Sequence, residues 1–310
     1  MSARWVHNFP PRKIGEHAIL CDCMARTISI VGAGRVGISL AKHLRGLGWR
    51  IGAVLTRSKA TARAAARRIG AGKPFDRLTR EVCAADVILF ATPDDVLPGI
   101  ARELARVCGA GCKGKIALHT SATLDRSALA PLARLGASTG SLHPMQAFGG
   151  KVVPQLKGVI FGIEGDAAAR RMAQSIAKSL GGIPVAIETS DKAAYHAAAV
   201  MAGGSIYPVV EAGLQLLMSV GFTRERASQT LLPLVRQILD NIERIGPRAA
   251  WTGPLSRGDY AVVAKHMDAL RRYPPEFGES YAALAKLAAR VLSKDPAAMQ
   301  RQLNRALGKV

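Results

Sequence analysis

The stretch from Thr27 to Gly37, TISIVGAGRVG, narrows the choice of fold more than any other in the chain. The β-branched run TISIV stops at Gly32-Ala33-Gly34-Arg35-Val36-Gly37. Ile38, Leu40, Ala41, Leu44 and Leu47 then recur at helical spacing as far as Gly48. A GxGxxG set between a strand and a helix is the setting that gives this pattern its meaning. Gly32 permits the tight turn, Gly34 lets backbone amides approach a pyrophosphate, and Gly37 lets the helix pack closely on the strand. With Arg35 and Val36 they open a helix whose N-terminus carries partial positive charge, a place for a phosphate group.

The same rhythm continues. Arg50 to Thr56 predicts a second strand, Lys59 to Ile69 a helix, Asp86 to Ala91 a third strand and Lys115 to His119 a fourth, with Leu124 to Leu135 helical. Val159 to Ile163 and Ile183 to Ile187 predict further strands around a helix from Ala167 to Leu180. Alternation of this kind implies a mainly parallel sheet with helices on both faces. Beyond Asp191 the pattern is helical throughout, over 191–219, 223–244, 256–271, 278–293 and 295–307. The fold expected is therefore α/β with a mainly parallel sheet, followed by an all-α C-terminal domain. Its parts are an irregular N-terminal extension (1–26), a dinucleotide-binding domain (27–188) and an all-helical domain for substrate and dimerisation (189–310).

The end of the second strand bears on the choice of cofactor. A carboxylate there would hold a ribose 2′-hydroxyl, as in NAD enzymes, whereas this chain places Thr56-Arg57-Ser58. Arginine and serine suit a 2′-phosphate through charge-assisted hydrogen bonds, so NADP(H) is favoured over NAD(H). Arg57 is also readable as one more surface cation of a basic protein. Thr92-Pro93-Asp94 ends the next strand, where Thr92 and Pro93 would lie near the cofactor.

His119-Thr120-Ser121 ends the fourth strand, and Ser141 to Phe148 (SLHPMQAF) is expected in a loop beyond it, carrying His143. Either histidine could equally be structural. Thr252 to Asp259 (TGPLSRGD) starts a helix with Ser256 as N-cap, and Arg257 could clamp a carboxylate. In Thr189 to Gly204 (TSDKAAYHAAAVMAGG), Lys192, Tyr195 and His196 fall on neighbouring positions of one helix face, so something polar should lie opposite them.

Composition excludes several classes. There is no run of about 18 apolar residues and no signal-peptide core, which reads as a cytoplasmic protein without membrane spans. Met24 would serve as a natural start, a reading that an intact-mass measurement on native protein tests. The net charge of +21 invites a polyanionic partner, but the basic residues are dispersed along helices and aromatics are few, so nucleic acid is disfavoured. Cys21, Cys23, Cys83, Cys108 and Cys112 show no zinc spacing, and reduced thiols with no metal are expected.

The ordered segments VGAGRVG, FATPDD, HTSAT, GSLHPMQAF, GIEGD, KAAYHAAAVMA and TGPLSRGD, running from residue 27 to 272, resemble the Rossmann-like oxidoreductases that carry a C-terminal helical domain of unknown function. More distantly the layout is similar to 6-phosphogluconate, 3-hydroxyisobutyrate and prephenate dehydrogenases, pyrroline-5-carboxylate reductase and ketopantoate reductase. Several of those relatives begin the helical domain with a catalytic Lys followed four residues later by Asn, and Lys192 and His196 match that pair by position. The family's frequent Asn is Gly204 in this chain.

The resemblance implies an NADP-dependent reduction of a small 2-oxo acid, with 2-dehydropantoate as a concrete candidate, and a homodimer. Lys192 would be the acid, His196 would orient substrate or relay the proton, and Ser121 would bond the carbonyl or carboxylate. His119, His143 and Arg257 would anchor the substrate. An imine reductase or hydroxy-acid dehydrogenase of the same layout remains open, as does a non-catalytic NADP-binding sensor or scaffold.

Overall fold

The structure, a computed structural model, describes residues 26–150 and 152–308. The expected extension (all but Arg26), with Met24, Cys21 and Cys23, lies outside them. The chain divides into two compact units, 1–201 and 202–310. The division by packing thus falls one helix after the end of the last strand.

In the first unit, eight strands form one sheet in the order β3-β2-β1-β4-β5-β6-β7-β8. They are β1 (Thr27–Val31), β2 (Arg50–Leu55), β3 (Lys73–Phe75), β4 (Val87–Phe90), β5 (Ile116–His119), β6 (Ser138–Pro144), β7 (Ile160–Gly165) and β8 (Ile183–Ala186). All neighbouring pairs are parallel except β6 with β7. Helices α1 (Arg35–Gly46), α2 (Lys59–Ile69), α3 (Leu97–Cys108), α4 (Ala130–Ala133), α5 (Ala167–Ser179) and α6 (Lys192–Ala199) accompany it. The order reverses between β1 and β4, the position where open α/β sheets place their ligands.

Strand alternation separates two cores. Ile28, Ile30, Val54, Leu89, Leu118 and Leu142 face one, which Leu40 and Leu44 of α1 and Ala173 and Ile176 of α5 complete. Val31, Leu55, Phe90 and Ala117 face the other, together with Leu97, Ala101 and Leu104 from one stripe of α3. On β6 this alternation has a consequence: Leu142 enters the first core, so Ser141 and His143 lie on the opposite face.

Two strands were not expected. Lys73–Phe75 is too short to show a period. Ser138–Pro144, in place of the expected loop around His143, has almost no apolar residues to reveal it. Its small residues have a packing cause: a Cβ on Gly140 would come 2.5 Å from the Glu164 carbonyl oxygen and 3.1 Å from the Ala169 Cβ of α5. The helix expected over Leu124–Leu135 is reduced to a 3₁₀ turn (Arg126–Leu129) and the one-turn α4.

The helix expected over 191–219 is four pieces: a 3₁₀ start (Thr189–Asp191), α6, a π turn (Val200–Gly204) and α7 (Ile206–Ser219). The break falls on Gly203-Gly204, which are poor helix formers, and just before Pro208, which has no amide hydrogen to donate back along the helix. The whole stretch Thr189–Ser219 is long and apolar enough to cross a membrane by length and mean hydropathy (31 residues, 1.3). It begins, however, with Lys192 buried and bonded to β6.

Cys83 and Cys108 pair as a disulfide and Cys112 is a buried free thiol, which corrects the expectation of reduced thiols for two of the three. Their sulfur atoms lie within 4.8 Å of one another. The sequence hides this because the C-terminal end of α3 returns to the 3₁₀ turn Arg80–Ala84 only in the folded chain.

The second unit continues with α8 (Arg224–Ile245), α9 (Pro247–Ala250), α10 (Pro254–Arg257), α11 (Tyr260–Leu270), α12 (Pro275–Val291) and α13 (Pro296–Leu307). Val263, Met267, Ala282, Ala289, Leu303 and Leu307 form its core. Ser256 is not an N-cap; it lies inside α10 and donates to the Gly253 carbonyl, and Asp259 precedes α11 instead.

Candidate active site

The glycine turn has the shape that its pattern requires. Gly32 has φ +86° and a Cβ there would meet Thr92 Cγ2 at 2.6 Å and the Ala91 carbonyl at 2.7 Å, so the loops after β1 and β4 touch at this residue. A Cβ on Gly37 would strike the Gly32 carbonyl at 2.8 Å, whereas Gly34 faces open space. Gly34 caps α1 without a side-chain bond and the first turn holds no acidic residue. Free amides and an uncluttered helix N-terminus fit the pyrophosphate of a dinucleotide. Val36 packs on the first core and Arg35 is exposed beside the turn.

At the end of β2, Arg57 is exposed and has no ion pair among the described residues. Ser58 caps α2, accepting from the Thr61 amide at 3.3 Å. Thr92 Oγ1 is buried without a partner, and Pro93 is exposed.

A second set of groups gathers on the polar face of β5, β6 and β7. His119 is level with Ser141, and Ser141 with Glu164, by strand register. Helix α6 lies against this face. Lys192, only 3% exposed, donates from Nζ to Ser141 Oγ at 2.9 Å. Burial lowers its ammonium below the usual lysine range, partly offset by Glu164, Asp125 and Asp94. Glu164 is buried too, accepts the Arg126 amide at 2.9 Å, and is pushed up by desolvation.

His119 is fully buried and its Nε2 donates to the Asp125 carbonyl at 3.0 Å. A carbonyl only accepts, so Nδ1 carries the lone pair, and it has no partner. Burial is the main reason that the ring ionises only at about 4. His143, half-buried, is held at about 4 by burial and then by His196 and Lys192, against Asp94. Its Nδ1 lies 3.1 Å from the Tyr195 hydroxyl, and its ring meets that of His196 edge-on at 6.1 Å.

Ser121 Oγ donates to Asp94 Oδ2 at 2.7 Å while accepting the Thr123 and Leu124 amides at 3.2 and 2.9 Å; Thr123 Oγ1 donates to the same carboxylate oxygen at 2.7 Å. The hydroxyl hydrogen of Ser121 is therefore occupied, and its work is to tie the loop after β5 to Asp94. Of the residues singled out in the sequence, the fold thus gathers Lys192, His196, His143, His119 and, through Asp94, Ser121. Arg257 belongs to α10 of the second unit, where it pairs with Asp259 Oδ2 at 3.0 Å. Ser141, Asp94 and Glu164 were not singled out as site residues; the signal for Ser141 and Glu164 was the strand register, hidden with β6, and Asp94 joins through its bonds to Ser121 and Thr123 in the loop after β5.

Two family models match the chain: a Rossmann-like domain over residues 21–144 and a domain of unknown function, DUF2520, over residues 159–288. The chain belongs to the Rossmann-like proteins that carry a DUF2520 domain. Among solved structures, this Rossmann-like DUF2520 protein is similar to a Bacteroides fragilis protein named as an NADP oxidoreductase, at 21% identity and TM-score 0.71, covering 84% of this chain and 96% of that one. It is also similar to a reductive aminase of Aspergillus terreus solved with NADPH and ethyl-5-oxohexanoate, at 15% identity and TM-score 0.64, covering 86% and 94%. At these identities the likeness shows the fold. Among curated proteins it matches glutamyl-tRNA reductase 2 of Anaeromyxobacter sp., 36% identical over 92 residues, or 28% of this chain; the match spans only 22% of that relative's length.

Proposed function

We propose that this protein is an NADP(H)-dependent reductase of the carbonyl group of a small 2-oxo acid, 2-dehydropantoate being the first candidate. The observation that carries the reading is the buried Lys192 ammonium, held on Ser141 at 2.9 Å among Asp94, Glu164 and two neutral histidines. Burying a lysine beside ionisable partners carries a desolvation cost, and groups perturbed in this way cluster at functional sites.

Bound NADPH would supply the hydride. Gly32, Gly34, Arg35, Val36 and Gly37 would hold its pyrophosphate, Thr92 and Pro93 would border it, and Arg57 with Ser58 would meet the 2′-phosphate. The chain's part is the proton. Reduction of a carbonyl places negative charge on its oxygen, and an ammonium made more acidic by burial can neutralise that charge and release a proton. Asp94, fixed by Ser121 and Thr123, and Glu164 hold Lys192 charged until then. His196 would orient the substrate, and neutral His143 would bond its carboxylate or carbonyl. In this reading residues 27–188 hold the cofactor, and residues 189–310 contribute Lys192 and His196 and form a homodimer.

The dimer draws support from α8, where Leu234, Ile238, Ile242 and Ile245 are all exposed and only Ala227 is buried. Such a stripe on a water-soluble surface calls for a partner.

A second reading, reduction of a C=N bond, is favoured by the likeness to the reductive aminase layout. Following NADPH oxidation with a panel of 2-oxo acids and cyclic imines, beside NADH, separates the two. Turnover on one 2-oxo acid, lost in Lys192→Ala with NADPH binding retained, is the result expected. Turnover on imines alone would transfer the reading to C=N chemistry, and tight NADPH binding with no turnover on any compound would leave a sensor.

A further inference from the structure

The proposed reduction gives no part to Tyr195, although its seat is specially shaped. Gly162 is the register partner of His143 across β6 and β7. A Cβ built on Gly162 would lie 2.8 Å from the Tyr195 hydroxyl oxygen and 2.9 Å from Cζ. The Gly162 backbone has no positive φ, so space and not conformation requires glycine there. The phenol ring fills the volume that any side chain at 162 would take, edge-on to the His143 imidazole with centroids 5.5 Å apart at 86°.

We infer that Tyr195 is a positioning residue that fixes the ring orientation and tautomer of His143, so that His143 presents Nε2–H to the substrate. Only one hydrogen bond joins the two groups, the 3.1 Å contact between Tyr195 Oη and His143 Nδ1. A phenol is a stronger acid than a neutral imidazole N–H, so the phenol donates and Nδ1 accepts. The ring hydrogen then sits on Nε2, free to bond an anionic or carbonyl oxygen. The surroundings keep both partners in the forms this needs. Burial holds the phenol above its ordinary range and His143 at about 4. The charged and titratable groups around His143 are Lys192 and His196 from α6, which disfavour its protonation, and Asp94 from the loop after β4, which favours it. The inference rests on the proposed reductase reading for its purpose, not for its geometry.

The test is imidazole ¹⁵N NMR on the full chain, with His143 assigned through His143→Gln. In the wild type, His143 should show one neutral tautomer protonated at Nε2 down to about pH 5. In Tyr195→Phe it should show averaging between both tautomers and a displaced titration. Gly162→Ala should give the same signature with the tyrosine still present, because the new methyl group evicts the phenol. Should Gly162→Ala fail to fold, Tyr195→Phe decides alone. An unchanged tautomer and titration of His143 in Tyr195→Phe would overturn the inference, as would a wild-type tautomer protonated at Nδ1. In turnover, Tyr195→Phe should raise KM several-fold and lower kcat less. A wild type that turns over no compound would sink the reductase reading while the NMR result still judges the Tyr195–His143 pair.

Discussion

The face of the sheet under α6 and the outer face of α8 break the ordinary rule of burial in opposite senses. Under α6 a lysine, a glutamate and a histidine are buried where apolar residues would pack more favourably. Along α8 leucine and isoleucine lie exposed where charged residues would be solvated. Each exception trades stability of the isolated chain for something else. Polar groups inside a core point to chemistry, and apolar groups outside one point to a partner.

The sharpest way to break this contrast is to make Lys192 apolar. Lys192→Met should lower kcat by about a hundred- to ten-thousand-fold, the usual contribution of a positioned acid, while the melting temperature stays level or rises. A variant that loses stability in parallel with activity would show Lys192 to be structural. On α8, Ile238→Glu should convert dimer to monomer in light scattering and leave NADPH affinity in place. A wild type that is already monomeric would remove the meaning given to the stripe.

Acid sharpens the buried side of the contrast. His119 and His143 are both depressed from 6.5 to about 4. Above pH 6.5 neither the folded nor the unfolded chain protonates them, so they contribute nothing to the pH dependence. Between about 6.5 and 4 the unfolded chain takes up protons that the folded chain refuses, and stability falls as pH falls. Below 4 the loss is complete. Each refused proton costs about 1.4 kcal/mol per pH unit. Melting temperatures measured from pH 7 to 4.5 should decline more steeply in the wild type than in His143→Gln, and equal slopes would contradict the assignment. The smallest effect belongs to the exposed Arg57: Arg57→Ala should weaken NADPH binding roughly tenfold and leave NADH binding unchanged, the contribution of one charge-assisted contact at an exposed site.

What was legible in the sequence follows the same division. The apolar strands β1, β2, β4 and β5 and the glycine turn announce themselves because burial there obeys the rule, so the strand, turn and helix that open the fold could be read with their glycines. β6 could not, since glycine and serine stand where close approach of α5 and the bond to Lys192 require small residues. With β6 unread, His143 passes for a loop residue, and the alignment of Ser141 with Glu164 has no register to reveal it. Lys192, Tyr195 and His196 could be seen to share a helix face, and the demand for polar partners opposite them was sound. The identity of those partners needed the strand. The pairing of Cys83 with Cys108 was illegible for a different reason, because only the return of α3 brings them together.

Helix α6 against β6 works like a vernier, two scales of different pitch read against each other. Lys192 meets Ser141 and, three residues on, Tyr195 meets His143, two residues on. Three residues of helix rise about 4.5 Å and two of strand about 6.7 Å, a mismatch that the long side chains of Lys192 and Tyr195 span. One residue inserted between Lys192 and Tyr195 would swing every later side chain by about 100° and carry Tyr195 off His143 while Lys192 kept its place on Ser141. Length in this segment is therefore as fixed as identity, and related chains that share the chemistry should differ here by substitution and never by insertion.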